Sequence, residues 1–166
     1  AYFSGFGAKR RIVLYDTLMK NQSNEEISAI LAHEIGHYRK KHIPKSFVLS
    51  LLITGIMLYL FSLIVGQPLI FEAMGASHNS FHLGLIVFLL LYTPISMALS
   101  IAGNYLSRRF EFQADAFAAK YADVSAFTSS LKKLAADNLS DLTPHPWFVF
   151  FQYSHPPLLE RIRKIT

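Results

Sequence analysis

Five consecutive residues, His33-Glu34-Ile35-Gly36-His37, combine two imidazoles and a carboxylate at a spacing suited to metal-assisted hydrolysis. On a helix, side chains four residues apart leave the same face one turn apart, so His33 and His37 can hold one divalent ion between them. Zinc takes imidazole nitrogen at about 2.0–2.1 Å, a distance this pair can meet. Glu34 is turned by about 100° from His33. It is badly placed to ligate the same ion, and well placed to take a proton from water that the ion activates. An ordinary amphipathic helix with two chance histidines would read the same, so the pattern needs support from the rest of the chain.

The elements that must position this pair come next. Ser23-Asn24-Glu25-Glu26 has the form of a capping box, with Ser23 as N-cap and Glu26 three residues on. Ile27, Ile30 and Leu31 continue an apolar stripe into the histidines. The spacing predicts a helix over 24–43, ended or kinked at Pro44. Gly36 is a poor helix former, and a small residue there lets a backbone or a substrate approach. His42 lies five residues beyond His37, about 140° round a continuous helix. It therefore reads as a solvated or interfacial residue outside the ligand set. Upstream, 1–6 and 11–15 read as two strands joined by a turn at 7–10. One of them either offers its edge to an extended peptide or is plain structure.

Of the 166 residues, 52% are hydrophobic and 16% charged, against a usual charged fraction of about 25%. The composition points to a membrane. There is no cysteine, hence no disulfide, thiolate ligand or thiol nucleophile. The net charge of +5 would suit nucleic acid, but the basic residues flank apolar segments, which fits a membrane instead. No signal peptide is visible, and the chain opens without Met inside a strand-like stretch, as a fragment of a longer protein would.

Residues 46–66 carry no charge, and 21 residues of helix extend roughly 31 Å, enough to cross a bilayer core. A second uncharged run covers 81–106, with a kink expected at Pro94. Residues 67–80 read as the loop between them. Lys40, Lys41 and Lys45 precede the first run, Arg108 and Arg109 follow the second, and the loop has no Lys or Arg. The positive-inside rule then places both outer ends in the cytosol. His78 and His82 share the i,i+4 spacing but sit at the far end of this hairpin.

Two crossings return the chain to the side on which His33 lies. There, on a helix over 104–121, Glu111 and Asp115 share a face. Glu111 offers the third donor of a His/His/Glu set that leaves one position for water. Asp115 can hydrogen-bond a ligand imidazole. Their bland alternative is pairing with Arg108 and Arg109 at the surface. Residues 124–139 read as an amphipathic packing helix with Phe127, Leu131, Leu134 and Leu139 on its apolar side. Residues 141–153 read as an aromatic loop, and 154–164 as a helix that starts near His155. A His there can donate to a developing oxyanion, or merely cap the helix.

The stretches AYFSGF, RRIVLYDTLMK, LAHEIGH, SRRFEFQADAFAAK and YSHPPLLERI resemble the integral-membrane CAAX prenyl endopeptidases. The resemblance implies a mainly α membrane protein: a zincin-like helical core, a small β-hairpin and a two-helix transmembrane hairpin. It implies one metalloprotease domain over 1–166, interrupted by that hairpin at 46–106. It makes His33, His37 and Glu111 the ligands of one Zn²⁺, and Glu34 the catalytic glutamate. Asp115 becomes an active-site acid. His155 and Arg161 become residues that meet substrate or transition state near the zinc, and Tyr2, Phe3 and Ser4 part of the strand that holds the peptide. Further membrane helices N-terminal to this region are expected, in a bacterial inner membrane or an endoplasmic-reticulum-type membrane. The expected partners are a peptide or prenylated protein substrate and membrane lipid, with no nucleic acid. A broad-specificity membrane quality-control metalloprotease is the second enzymatic reading. A zinc-stabilised peptide-binding scaffold without chemistry is the third.

Overall fold

A computed structural model describes residues 2–4, 11–65, 67–73, 75, 78 and 80–166. The chain forms two compact units, one from 1–43 with 103–166 and the other from 44–102.

In the first unit, β1 (Tyr2–Ser4) pairs antiparallel with β2 (Arg11–Val13), Phe3 opposite Ile12. Both strands expected from sequence are present; β2 is shorter than read, and positions 1, 5 and 6 of the first strand lie outside the described residues. The turn expected at 7–10 lies outside the described residues. A short helix α1 (Asp16–Asn21) follows where the sequence suggested only a strand end.

Helix α2 (Asn24–Arg39) opens on the expected capping box, with Ser23 Oγ accepting from Glu26 N–H and the Glu26 carboxylate accepting from Ser23 N–H. It closes earlier than Pro44. Lys41 adopts φ 56°, a left-handed turn that ends one helix and lets α3 (His42–Val65) begin at the next residue. Pro44 sits in the first turn of α3, where its missing N–H costs nothing, so it marks a start and not a stop.

Small residues let the helices of this unit approach closely. Ala29 and Ala32 of α2 pack with Ala118, and with Phe127 and Leu131 of α6 (Val124–Asp137). Helix α8 (Leu158–Ile165) adds Leu158 and Ile165 to the same cluster. Leu139, read as part of the apolar side of α6, lies beyond its end at φ 49° and is 92% exposed. The aromatic stretch read as a loop contains a further helix, α7 (Pro146–Gln152), capped by His145, whose Nδ1 accepts from Trp147 N–H. Proline at its first position favours that start.

Glu26 also joins α2 to α6. The buried carboxylate accepts from Lys133 Nζ at 2.6 Å and from Ser129 Oγ at 2.6 Å, besides Ser23 N–H. Lys133 first, then Ser129 and Ser23, hold it down to about 2. A depressed carboxylate stabilises the fold above its unfolded pKa and ceases to do so as pH falls through its folded one. We therefore expect the melting temperature of the wild-type protein to fall more than that of Glu26→Gln between pH 4.5 and about 2. Parallel melting curves over that window would remove this linkage.

The second unit holds most of α3, the short helix α4 (Pro68–Ala73) and the start of α5 (Phe81–Tyr121). The connection read as a loop thus carries one helix. Phe61 meets Phe81 and Phe88 edge-on, and Gly84 leaves room for Val65 and Phe71. Many of the other apolar side chains are open: Phe47, Leu51, Leu52 and Tyr59 are each more than half exposed. Helices α3 and α5 are long and apolar enough to cross a bilayer. Such surfaces suit lipid and not water. Helix α5 runs through Pro94 without interruption and joins the second apolar run to the Glu111 segment.

Candidate metal centre

The helix face read from the sequence is formed. His33 and His37 project from α2 with their Nε2 atoms 3.1 Å apart. Glu111 of α5 brings Oε2 to 3.6 Å from His33 Nε2 and Oε1 to 3.4 Å from His37 Nε2. Donors around a tetrahedral ion at about 2.0–2.1 Å stand roughly 3.3–3.4 Å from one another. The three separations bracket that value, so the spacing of these side chains suits an ion of zinc's size. Among the described residues this is the group of His, Asp and Glu able to hold a metal. His78 and His82 belong to the other unit.

Gly36 makes the approach of α5 possible. A Cβ there would stand 3.0 Å from Ala114 Cα and 3.2 Å from Ala114 O. Those are backbone atoms of the helix that carries Glu111, and they cannot give way cheaply. The small residue thus admits a backbone, one of the two options its position suggested.

Asp115 is 1% exposed and lies under His33, Oδ1 being 2.9 Å from Nδ1 although off the hydrogen-bond line. Arg161 of α8 grips it with two bonds, Nε to Oδ2 at 2.8 Å and Nη2 to Oδ1 at 2.6 Å. This fork-to-carboxylate geometry is the strong form of an ion pair. Burial pushes Asp115 up, but Arg161 and His33 outweigh it and hold the carboxyl below its usual range. Burial likewise pushes Glu111 up, and His155, His37 and His33 together hold it well below. Glu111 and Asp115 are therefore not surface partners of neighbouring arginines. Arg108 instead donates to the carbonyls of Val149 and Tyr153.

His155 does not start a helix. It lies ahead of α8, whose N-cap is Pro157, so its position owes nothing to capping. Its Nδ1 is 3.3 Å from Glu111 Oε2, and that carboxylate raises its pKa. Glu34, His155 and Arg161 line one cavity of about 630 Å³ with the three donors, and Leu18, Ile30, Phe127, Leu131 and Leu134 form its apolar wall. Helix α6, read from sequence as packing alone, thus also shapes the site. Tyr2, Phe3 and Ser4 form β1, which pairs with β2 on one edge.

Sequence reasoning missed one group. His42 is not solvated: it is 3% exposed, stacked on Phe110 with centroids 4.2 Å apart. Its Nδ1 lies 3.2 Å from His37 Nδ1 and its Nε2 3.0 Å from Gln113 Oε1. The turn at Lys41 swings it back toward His37, which a continuous helix would not. Proline two residues later, at a position favoured in a first helical turn, was the available signal.

The profile of peptidase family M48 matches residues 1–166. A CAAX prenyl protease 1 homolog from Oryza sativa subsp. japonica is 40% identical over 163 residues, 98% of this chain and 38% of that protein. CAAX prenyl protease 1 from Saccharomyces cerevisiae is 35% identical over 178 residues, 98% of this chain and 39% of that one. The crystal structure of S. mikatae Ste24p superposes with a TM-score of 0.87 at 33% identity, over 99% of this chain and 42% of that one. The chain spans about two fifths of the length of these relatives.

Proposed function

The chain belongs to peptidase family M48, and from that premise we propose that it is the catalytic part of a zinc-dependent membrane endopeptidase. Its substrates are isoprenylated CAAX-type proteins or peptides, cut near the C-terminus. The observation that carries this reading is the convergence of His33, His37 and Glu111 on a cavity that Glu34 also lines.

His33, His37 and Glu111 would hold the ion; when bound, zinc supplies Lewis-acid polarisation of the scissile carbonyl and of water. Glu34 accepts the proton of the attacking water and passes it to the leaving amine. Asp115, locked by Arg161, keeps the His33 ring in plane and its Nε2 turned to the other donors. His155 is close enough to the donor set to give a hydrogen bond to the oxyanion that develops. Arg161 stands at the cavity wall to position substrate as well as Asp115. The outer edge of β1, Tyr2 to Ser4, takes the extended peptide by strand addition. The apolar wall suits the aliphatic residues that precede a CAAX terminus.

The test is cleavage of one CAAX peptide with and without its farnesyl group by the full-length protein, with zinc content measured in parallel. Faster, chelator-sensitive cleavage of the lipidated peptide is expected. Equal rates on both peptides would favour a broad-specificity quality-control protease. Stoichiometric zinc without any cleavage would favour a scaffold.

In the same reading, 1–166 is one metalloprotease domain interrupted by a transmembrane hairpin at 46–106. Its metal-binding helices enter from the cytosolic face of an endoplasmic-reticulum-type or bacterial inner membrane. Basic residues at the two outer ends and none between the spans support that orientation. With no native cysteine, single cysteines at Ser23, His78 and Ser129 can be probed with an impermeant reagent in sealed vesicles. His78→Cys should react from the side opposite to the other two. Reaction of all three from one side would mean that the hairpin does not span.

A further inference from the structure

We propose that His42 and Gln113 form a positioning relay that sets the tautomer and ring plane of His37. The inference rests on the reading of His37 as a metal ligand. His37 turns Nε2 toward His33 and Glu111; as a metal ligand it would use the lone pair of Nε2 and keep its ring proton on Nδ1. That Nδ1 stands 3.2 Å from Nδ1 of His42. Two nitrogens can share one hydrogen bond only if one of them is bare, so His42 Nδ1 must be the acceptor. The proton of His42 then sits on Nε2, where Gln113 Oε1, a carbonyl oxygen, accepts it at 3.0 Å. The three groups thus have one consistent direction: His42 donates to Gln113, His37 donates to His42, and the bare nitrogen of His37 faces His33 and Glu111.

The surroundings hold this arrangement in place. His42 is 3% exposed, which shields both of its bonds from bulk water. Its ring lies parallel to Phe110, 9° between planes, which fixes the plane, and a half-turn within that plane would put carbon where both nitrogens make their contacts. Gln113 is two residues past Glu111 on α5, so the helix that supplies the third donor also ends the relay. The other imidazole is supported differently. His33 rests on the carboxylate of Asp115, which Arg161 holds, whereas His37 rests on neutral groups. Support at the far nitrogen of a ligand imidazole typically changes metal affinity by about 10–100-fold.

The experiment uses the full-length protein in lipid nanodiscs, with zinc affinity read by competition with a fluorescent chelator. His42→Phe keeps the ring against Phe110 and removes the acceptor; zinc should bind about 10–100-fold more weakly. His42→Asn places an amide oxygen near the position of Nδ1 and should recover most of that loss. Gln113→Leu leaves His42 without its orienting acceptor and should weaken zinc in the same direction, which covers the case where His42→Phe fails to fold. In ¹⁵N-histidine NMR of the zinc-loaded protein, His37 should carry its proton on Nδ1 and His42 on Nε2. Unchanged zinc affinity in folded His42→Phe and Gln113→Leu, or a proton on His42 Nδ1, would overturn the relay. His33→Ala separates the two levels of inference. If it loses zinc while His42→Phe does not, the relay alone is wrong. If it too keeps full affinity, the ligand reading falls and the relay with it.

Discussion

Glu34→Gln should retain zinc and lose peptide hydrolysis by about 10²–10⁴-fold, the usual contribution of a general base. The amide is nearly isosteric with the carboxylate, so the cavity that Glu34 shares with His33, His37 and Glu111 should keep its shape. What changes is the capacity to accept a proton, which a neutral amide lacks. Helical geometry separates this role from ligation: Glu34 is next to His33 in sequence and therefore turned by about 100° from it. Metal content by mass spectrometry and turnover of a farnesylated peptide should be measured on the same preparation. Near wild-type turnover would mean that another residue moves the proton. Coupled loss of zinc and activity would place Glu34 among the ligands.

Glu111→Ala should empty the site and abolish turnover, the largest effect expected of any single substitution in this protein. The carboxylate lies within 3.6 Å of both imidazole Nε2 atoms, and two imidazoles alone make a weak zinc site. The loss extends beyond one ligand. His155 and Arg161 also face Glu111 Oε2, at 3.3 and 3.8 Å, so its removal takes the paired carboxylate from His155 and leaves Arg161 with Asp115 alone. That change opposes binding of any cation. His33→Ala should also lose metal but should leave the Glu111 to His155 contact intact. Comparing the two by titration with zinc and with a fluorescence-reported chelator separates ligation from charge. Full zinc occupancy in Glu111→Ala would remove Glu111 from the donor set.

Much of the fold and of the candidate metal centre is legible in local sequence patterns. The i,i+4 histidines, the Ser23 and Glu26 capping box, the two uncharged runs and the Glu111 and Asp115 face are of this kind. Helical periodicity is enough to read them. Sequence and structure part where a short stretch changes direction. One left-handed residue, Lys41 at φ 56°, breaks the helix before His42 where the sequence reads the break at Pro44, and moves His42 from the solvent to the back of His37. Pro146 opens a helix inside an aromatic stretch that has no apolar period of its own. Pro157 caps α8 two residues after the position that reads as its start.

The chemistry on offer can be read along the chain: two imidazoles one helical turn apart with a carboxylate beside the first, no thiols, and apolar runs long enough for a bilayer. Those properties depend on residue type and on spacing within one element, which a helix converts directly into geometry. What stands behind each of these side chains depends on how separate helices pack. Arg161 reaches Asp115 across 46 residues and His42 reaches Gln113 across 71. Gly36 also meets the backbone of Ala114, far along the chain. Such contacts arise because apolar faces of separate helices must be buried together, and the close packing that results sets which polar groups meet. No period or spacing along the chain carries that information.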